Sequence, residues 1–517
     1  MGGIRRARQA SIATLLPLLA LTCSTLLPAS VGALETTVGG RRVDLDGQAE
    51  LREVFETNSS TTHDRTQQLL RLRTTAELTH WLTFDATVLG LNGGPTFKAT
   101  KSGTFNLKDV FQDVSPSVEV EEAHLDARFH AVDLQIGKQK FAWGKLDRFQ
   151  PNDLLNPESY VDPFLQEEEE RKIGIPAVQA SYYPPERAWV PPESRMTVVW
   201  VPFYVPYRFP EAGERWFPPA ATPSDQFVVP PGITTLPDGT PNPGFDVPLS
   251  LRTENVATPA FRFENSEWGL RLSGLIDAAD VALYYYHGFD AQPAFSVDAI
   301  AYAPPDPHQL PNGITTDTIL KPAFRKIDSW GADAAYPFGD FTLRAEGAYV
   351  SGRPFVRDLR FLITDPAVLA PQIREGLAAF LNGAKQVPID LGTSFVTHDA
   401  VEWGVGVDYT VSGYLLLLQM NQTDILHNDV DLLVKNVDSR LLANLRKNFL
   451  RDDLRAQLIA IYGIESDYTV LMPRLTYRLV DSLDVRIGYL FIAGRQSSVL
   501  GQYKRNDEGF VRLRYSF

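Results

Sequence analysis

The stretch "DFTLRAEGAYV" constrains this chain more than any other. Phe341, Leu343, Ala345, Gly347 and Tyr349 point one way, and Thr342, Arg344 and Glu346 point the other. "DVRIGYLF" repeats the pattern, with Val485, Ile487, Tyr489 and Phe491 against Asp484, Arg486 and Gly488. "QLLRLRTTAELT", "HLDARF", "WGLRLSG", "VEWGVGVDYT", "RLLANLRKN", "LRAQLIAIY" and "MPRLTYRL" alternate less strictly. A soluble sandwich alternates too, but its strands run about five or six residues. Here the runs last roughly nine to twelve, the length of a tilted strand crossing a membrane. Their polar face is rich in arginines and carboxylates, which suits a water-filled lumen.

The spacing of the runs points the same way. Short links fall at His130–Val132, Asp277–Asp280, Pro337–Gly339, Val411–Gly413, Arg451–Asp453 and Val480–Ser482. Long links fall at Asn92–Ser117, Ala142–Gly174, Val205–Glu267, Phe289–Ile327 and Gly352–Asp399. Short periplasmic turns alternating with long extracellular loops are what an outer-membrane barrel has. The expected fold class is all-β: a transmembrane antiparallel up-and-down barrel of about eighteen strands, give or take two. The first strand is expected near Val43. The last is "EGFVRLRYSF", whose alternation runs to Phe517 and implies pairing to its final residue. Trp81, Tyr336, Phe341, Tyr409, Tyr414, Tyr515 and Phe517 fit an inner aromatic girdle. Trp268, Trp330, Tyr349 and Trp403 fit an outer one.

The other end sets the compartment. Arg5, Arg6 and Arg8 precede the uncharged "SIATLLPLLALTCSTLLP" and the small-residue "ASVGA". That is the form of a secretory signal peptide, residues 1–33, with cleavage after Ala33. Residues 34–517 are then one barrel domain in the outer membrane of a Gram-negative bacterium. The one cysteine, Cys23, lies in the leader, so disulfides and cysteine-ligated metal are excluded from the mature chain. The net charge of −14, more negative without the leader's arginines, argues against nucleic acid as a partner. Downstream of Ala33 no apolar run approaches the roughly 20 residues of a spanning helix. The first strand starts too soon after the leader to leave room for an N-terminal plug domain. "DPAVLAPQIREGLAAFLNGA" reads as a short amphipathic helix in an outer loop, stopped by Asn382-Gly383. The proline-dense stretches Tyr182–Pro219 and Pro230–Pro248 read as stiff loops that cannot form sheet.

The inward positions make a mixed lining. Arg71, Arg73, Arg128, Arg271, Arg344, Arg474, Arg478, Arg486 and Arg514 are positive, and Glu77, Asp85, Asp126, Asp333, Glu346, Glu402, Asp408 and Asp484 are negative. Opposed rings of charge would screen polar solutes. The alternative is that they pair across strands and fill the interior. Between Trp143 and Pro157 the chain is dense in turn residues. The stretch reads either as a compact outer turn, the commoner use of such residues, or as a loop entering the lumen. In the second case Lys145, Asp147, Arg148 and Asp153 form a charged constriction. "QEEEER" at Gln166–Arg171 is an acidic run in an outer loop, read as a solvated face or a site for cations bridging lipopolysaccharide. His287, beside a run of tyrosines, is expected at the pore or its mouth. The eight histidines are scattered, and neither a GxSxG elbow nor HExxH occurs, so no catalytic, cofactor or metal site is expected.

"IGKQKFAWG", then Asp147, then "NDLLNP" resembles a family of Gram-negative porin-like outer-membrane barrels, many without an assigned substrate. That family shares the segment loosely with alginate-export-type barrels. Gly137, Gln139, Trp143, Gly144, Asp147, Asp153, Asn156 and Pro157 carry the match, with "GIPAVQASYYPP", "VWVPFYVPYRFP" and "MPRLTYRLVDSLDVRIGYLFIAG". The resemblance implies a barrel with a channel or transport role and no catalytic residue. The expected function is a passive channel for small polar or anionic solutes, or for polymer export. The alternative is a barrel plugged by its own loops, serving as the anchor or sheath of a complex. Expected partners are outer-membrane lipid and lipopolysaccharide, the barrel-assembly machinery through Phe517, and further copies of the chain.

Overall fold

The computed structural model describes residues 34–57, 65–93, 117–185, 187, 190–210, 214–217, 226–229, 231–232, 239–254, 258–358, 366–496 and 498–517. The expected leader lies outside them. The strands are β1 (Leu34–Val38), β2 (Arg41–Glu56), β3 (Arg65–Thr79), β4 (Leu82–Asn92), β5 (Ser117–Phe129), β6 (Val132–Gln139), β7 (Ile175–Tyr182) and β8 (Arg195–Val201). They continue as β9 (Gln226–Val229), β10 (Phe245–Thr253), β11 (Glu267–Ile276), β12 (Ala279–Phe289), β13 (Ala294–Tyr302), β14 (Thr315–Ala323), β15 (Lys326–Phe338) and β16 (Phe341–Val356). The last are β17 (Gln386–Ile389), β18 (Phe395–Val411), β19 (Tyr414–Ile425), β20 (Val437–Phe449), β21 (Leu454–Gly463), β22 (Tyr468–Val480), β23 (Leu483–Gly494) and β24 (Glu508–Ser516). Two helices, α1 (Glu168–Arg171) and α2 (Pro366–Leu381), lie between strands.

Eighteen strands form one closed antiparallel ring: β2 to β8, β11, β12, β15, β16 and β18 to β24, with β24 pairing back onto β2. Closure runs from Gln48↔Ser516 to Glu56↔Glu508. Beyond it Phe517 exchanges both backbone hydrogen bonds with Gly47, at 2.9 and 3.0 Å. The expected architecture is the observed one. β1 is an addition, a hairpin onto β2 through Gly39-Gly40, both at positive φ as a two-residue turn demands.

Alternation sets the two faces. On the outer face stand Leu283, Ile487, Val405 and Leu343, between 46% and 59% exposed. Their neighbours Ala282, Tyr284, Glu346 and Leu490 are buried on the inner face. An apolar band around a closed ring has no water-satisfied role and matches hydrocarbon. No described helix is long and apolar enough to cross a membrane. Trp330 and Tyr349 meet in a tilted contact on the outer face at 6.0 Å, and Phe341 stacks on Tyr409 at 4.4 Å, both where girdles are expected.

The connections at 140–174, 202–266, 290–325 and 357–394 all leave from one end of the ring, and the short turns between them from the other. At the long-link end a second sheet of five strands, β17-β13-β14-β10-β9, lies outside the barrel. Its β10–β14 pair is parallel. Phe245, Val247 and Ile314 from this sheet region pack with Phe380 of α2. α2 occupies the expected helix, and Gly383 follows it at φ +90°. Both proline-dense stretches contain sheet, against expectation: β8 lies within Tyr182–Pro219, and Pro248 lies inside β10, opposite Gln226 at the very start of β9. Proline there sits at the end of a pairing, where a missing N–H costs little.

Candidate functional site

The 140–174 connection decides what the barrel holds. Glu346, on the inner face of β16 and 4% exposed, accepts three backbone N–H groups from it: Asn152 at 2.8 Å, Lys145 at 2.9 Å and Leu146 at 3.1 Å. On β19, Gln419 accepts from the Asp147 N–H and donates to the Asp147 carbonyl, each at 2.8 Å, and Asn421 donates to the Phe149 carbonyl at 2.8 Å. Arg474 of β22 donates to Glu167 at 3.1 Å, and Arg71 of β3 to Glu170 at 3.4 Å. A segment that touches the inner faces of β3, β16, β19 and β22 lies inside the ring.

The wall is shaped to receive it. A Cβ placed on Gly269 would meet the Trp143 ring at 2.6 Å, on Gly331 the Asn152 amide oxygen at 1.7 Å, and on Gly404 the Leu146 side chain at 2.6 Å. Three glycines on three strands are thus sockets for three loop side chains. Gly144 answers from the loop: at φ +90°, its Cβ would stand 2.5 Å from a Glu346 oxygen. Phe141, Trp143, Leu155 and Ile173 pack against Ala177, Val199, Val201, Ala282, Tyr284, Ala348 and Val350 of the wall. A second apolar cluster joins Phe149, Phe164 and Trp216 to Leu442, Ile459, Val470, Met472 and Leu490.

Every expected lining residue stands on an inner-face position, but their partners differ. Arg271 donates to the Tyr284 hydroxyl at 3.2 Å, and Tyr284 donates to Asp333 at 2.5 Å. Arg344 pairs with Asp408 and donates to the Lys145 carbonyl at 2.9 Å. Glu402 pairs with Arg353, itself 3.2 Å from Asp290. Arg486 pairs with Glu167 and donates to Thr476 at 3.1 Å. Arg514 reaches Glu50 at 2.6 Å and Glu170 at 3.3 Å. Arg478 sits lower, 3.5 Å from Asp453, and Asp484 lies 3.9 Å from Arg512. Arg73, Glu77 and Arg128 are exposed near the short-link end of the ring. The interior is therefore packed by the loop at the long-link end, while charged side chains are exposed toward the other.

Of the expected constriction residues, Lys145 reaches Asp280 at 2.5 Å and Asp333 at 3.8 Å. Asp153 pairs with Lys172, and burial holds its carboxyl up at about 6. The Arg148 backbone N–H donates to Glu168 at 3.2 Å, and burial beside Arg171 and Arg474 holds the Arg148 guanidinium below its ordinary range. Asp147 holds the wall through its backbone alone in these contacts.

Two placements differ from expectation. The acidic run lies inside the ring, with Glu167 between Arg474 and Arg486. Although burial opposes it, the two guanidinium groups hold the Glu167 carboxyl down at about 2. Burial, with Asp147 and Glu158 adding to it, pushes Glu168 up to about 7. His287 shares the outer face with Leu283 and bonds Asp328 at 2.8 Å. "LYYYHGF" offers no polar–apolar contrast from which its side could be read. Glu121, Gln419, Asn421 and Arg512 also contact the loop or the arginines around it, and all four follow from strand parity. Among the described residues one group, Asp85, His124 and Asp126, brings metal-ligating atoms within 4.8 Å of one another. His124 and Asp126 already bond each other there at 3.2 Å.

No protein-family model matches the chain, and no curated protein matches it significantly. Solved structures show a distant likeness. A BenF-like porin from Pseudomonas fluorescens Pf-5 aligns at 9% identity over 93% of this chain and 100% of its own, with a TM-score of 0.47. OccK8 (OprE) of Pseudomonas aeruginosa aligns at 9% identity over 92% and 98%, with a TM-score of 0.46. OmpF of Salmonella typhi, solved with daunomycin, aligns at 10% identity over 94% and 100%, with a TM-score of 0.37. The barrel assignment rests on the strand pairing described above.

Proposed function

We propose that the protein is an outer-membrane channel for the passive passage of small anionic solutes, narrowed by its own 140–174 loop. One observation carries the reading. The loop meets β22, β23, β24 and β3 through arginines and carboxylates, while Arg73, Glu77 and Arg128 are exposed toward the short-link end. A wall of buried arginines has little structural value against an apolar filling of the same shape. It does create a field that concentrates anions. The apolar outer band supports placement in a membrane.

A second reading has its own support. The two apolar clusters between loop and wall are what a permanently plugged barrel, acting as anchor or sheath, would also have. Single-channel recording of the refolded barrel under a salt gradient separates them. The channel reading expects steady small conductance with a reversal potential on the anion side. Silence from protein whose heat-modifiable migration proves it folded would overturn it in favour of the plug.

A further inference from the structure

Five adjacent strands, β22, β23, β24, β2 and β3, carry a concentration of arginines on their inner faces. Arg512 stands directly across from Arg486 on one side and Arg52 on the other. Like charges at facing positions repel. The loop brings two carboxylates to this wall. Glu167 is held by Arg474, at 3.1 Å to each oxygen, and by Arg486. Glu170 accepts from the Glu167 backbone N–H at 3.1 Å and is also met by Arg514 at 3.3 Å and Arg71 at 3.4 Å. Arg512 lies on β24, two residues before Arg514 of the second clamp and opposite Arg486 of the first, and is 2% exposed. Its Nε and Nη2 find no hydrogen-bond partner among the described residues, and the Asp484 carboxylate is 3.9 Å away. A buried guanidinium with unsatisfied N–H groups is an unfilled anion site.

We propose that Arg474, Arg486, Arg512 and Arg514 form a binding site for solutes carrying two carboxylates, and that Glu167 and Glu170 occupy it as an internal stand-in while the loop is seated. The proposal rests on the channel reading for its role but not for its chemistry. Glu167 is the N-cap of α1 and Glu170 its third residue, and each carboxylate is met by its own pair of arginines, so a solute with two carboxylates can engage both pairs and a monocarboxylate only one. Arg512, beside Arg486 and Arg514, adds a fork for whichever oxygen the stand-in leaves uncovered.

Calorimetry on the folded full-length protein in detergent at low salt, with glutarate as probe and butyrate as control, tests this. Wild type should bind glutarate weakly, because the stand-in competes. E167Q/E170Q should bind it at least tenfold more tightly, and at least tenfold more tightly than butyrate. Adding Arg512→Gln should remove most of that gain. Should that variant not fold, Arg512→Lys keeps the charge and loses the fork, and the same loss is expected. Equal affinity of wild type and E167Q/E170Q, or of glutarate and butyrate, would overturn the proposal. Because no current is measured, a silent barrel that binds glutarate keeps the site and sinks the channel, and a conducting barrel without the preference does the reverse.

Discussion

The loop inside the barrel is held in two different ways on its two sides. Toward β7, β8, β12 and β16 it buries Trp143, Leu155 and Ile173 in an apolar cluster and keys into glycine sockets. Toward β22, β23, β24 and β3 a smaller apolar contact of Phe149 and Phe164 is joined by ion pairs of Glu167 and Glu170 with arginines. Apolar burial has no alternative partner in a passing solute. Ion pairs do, because any anion offers what a glutamate offers. One side is therefore an anchor and the other an exchangeable contact.

The comparison breaks hardest at Trp143. Trp143→Ala should cost loop docking about 3 kcal/mol or more, read as loss of amide-exchange protection over 141–156 with the barrel strands unchanged. Next comes Glu346→Gln, which sets an amide NH2 against N–H donors and removes a charge-assisted acceptor. An expected cost of about 2 kcal/mol corresponds to roughly thirtyfold faster exchange at Lys145, Leu146 and Asn152. Unchanged exchange there would show that Glu346 does not hold the loop.

Acidity acts most strongly on the charged side. The seated Glu168 carboxyl is at about 7, above its ordinary 4.5, so seating disfavours its ionised form. That penalty is absent below pH 4.5, grows as pH rises toward 7 and is constant above. Going from pH 8 to pH 6 should tighten the seating of 166–171 about tenfold once intrinsic exchange rates are removed, and Glu168→Gln should abolish the change. Glu167, held at about 2, loses its contribution only as pH falls below about 4.5, and the Glu168→Gln control separates Glu168 from Asp153, which burial holds at about 6. The smallest effect is that of salt. One molar KCl should speed exchange at 166–171 a few-fold, since partly exposed pairs contribute about 1 kcal/mol or less, and leave 141–156 unmoved. An equal response on both sides would erase the distinction between them.

The barrel was legible in the sequence because a strand's period of two is local: Leu343 and Arg344 declare their faces without reference to anything distant. The loop's path was not. Lys145 and Glu346 are 201 residues apart, and neither carries a sign of the other. The acidic run illustrates the cost. Gln166–Arg171 reads as a solvated face, and only the fold shows that Arg474 and Arg486 wait opposite Glu167. The strand in Phe245–Thr253 was hidden by Pro248 and by Pro241 and Pro243 just before it, since proline usually marks the absence of sheet.

Glu346, Gln419 and Asn421 grip the loop by its peptide groups, at Lys145, Leu146, Asp147, Phe149 and Asn152. Peptide groups are the same whatever residue bears them. The wall thus dictates the route of the segment while leaving several of its side chains free to vary, so a descendant of this protein could retune its bore by mutation in the loop without having to find a new way through the barrel.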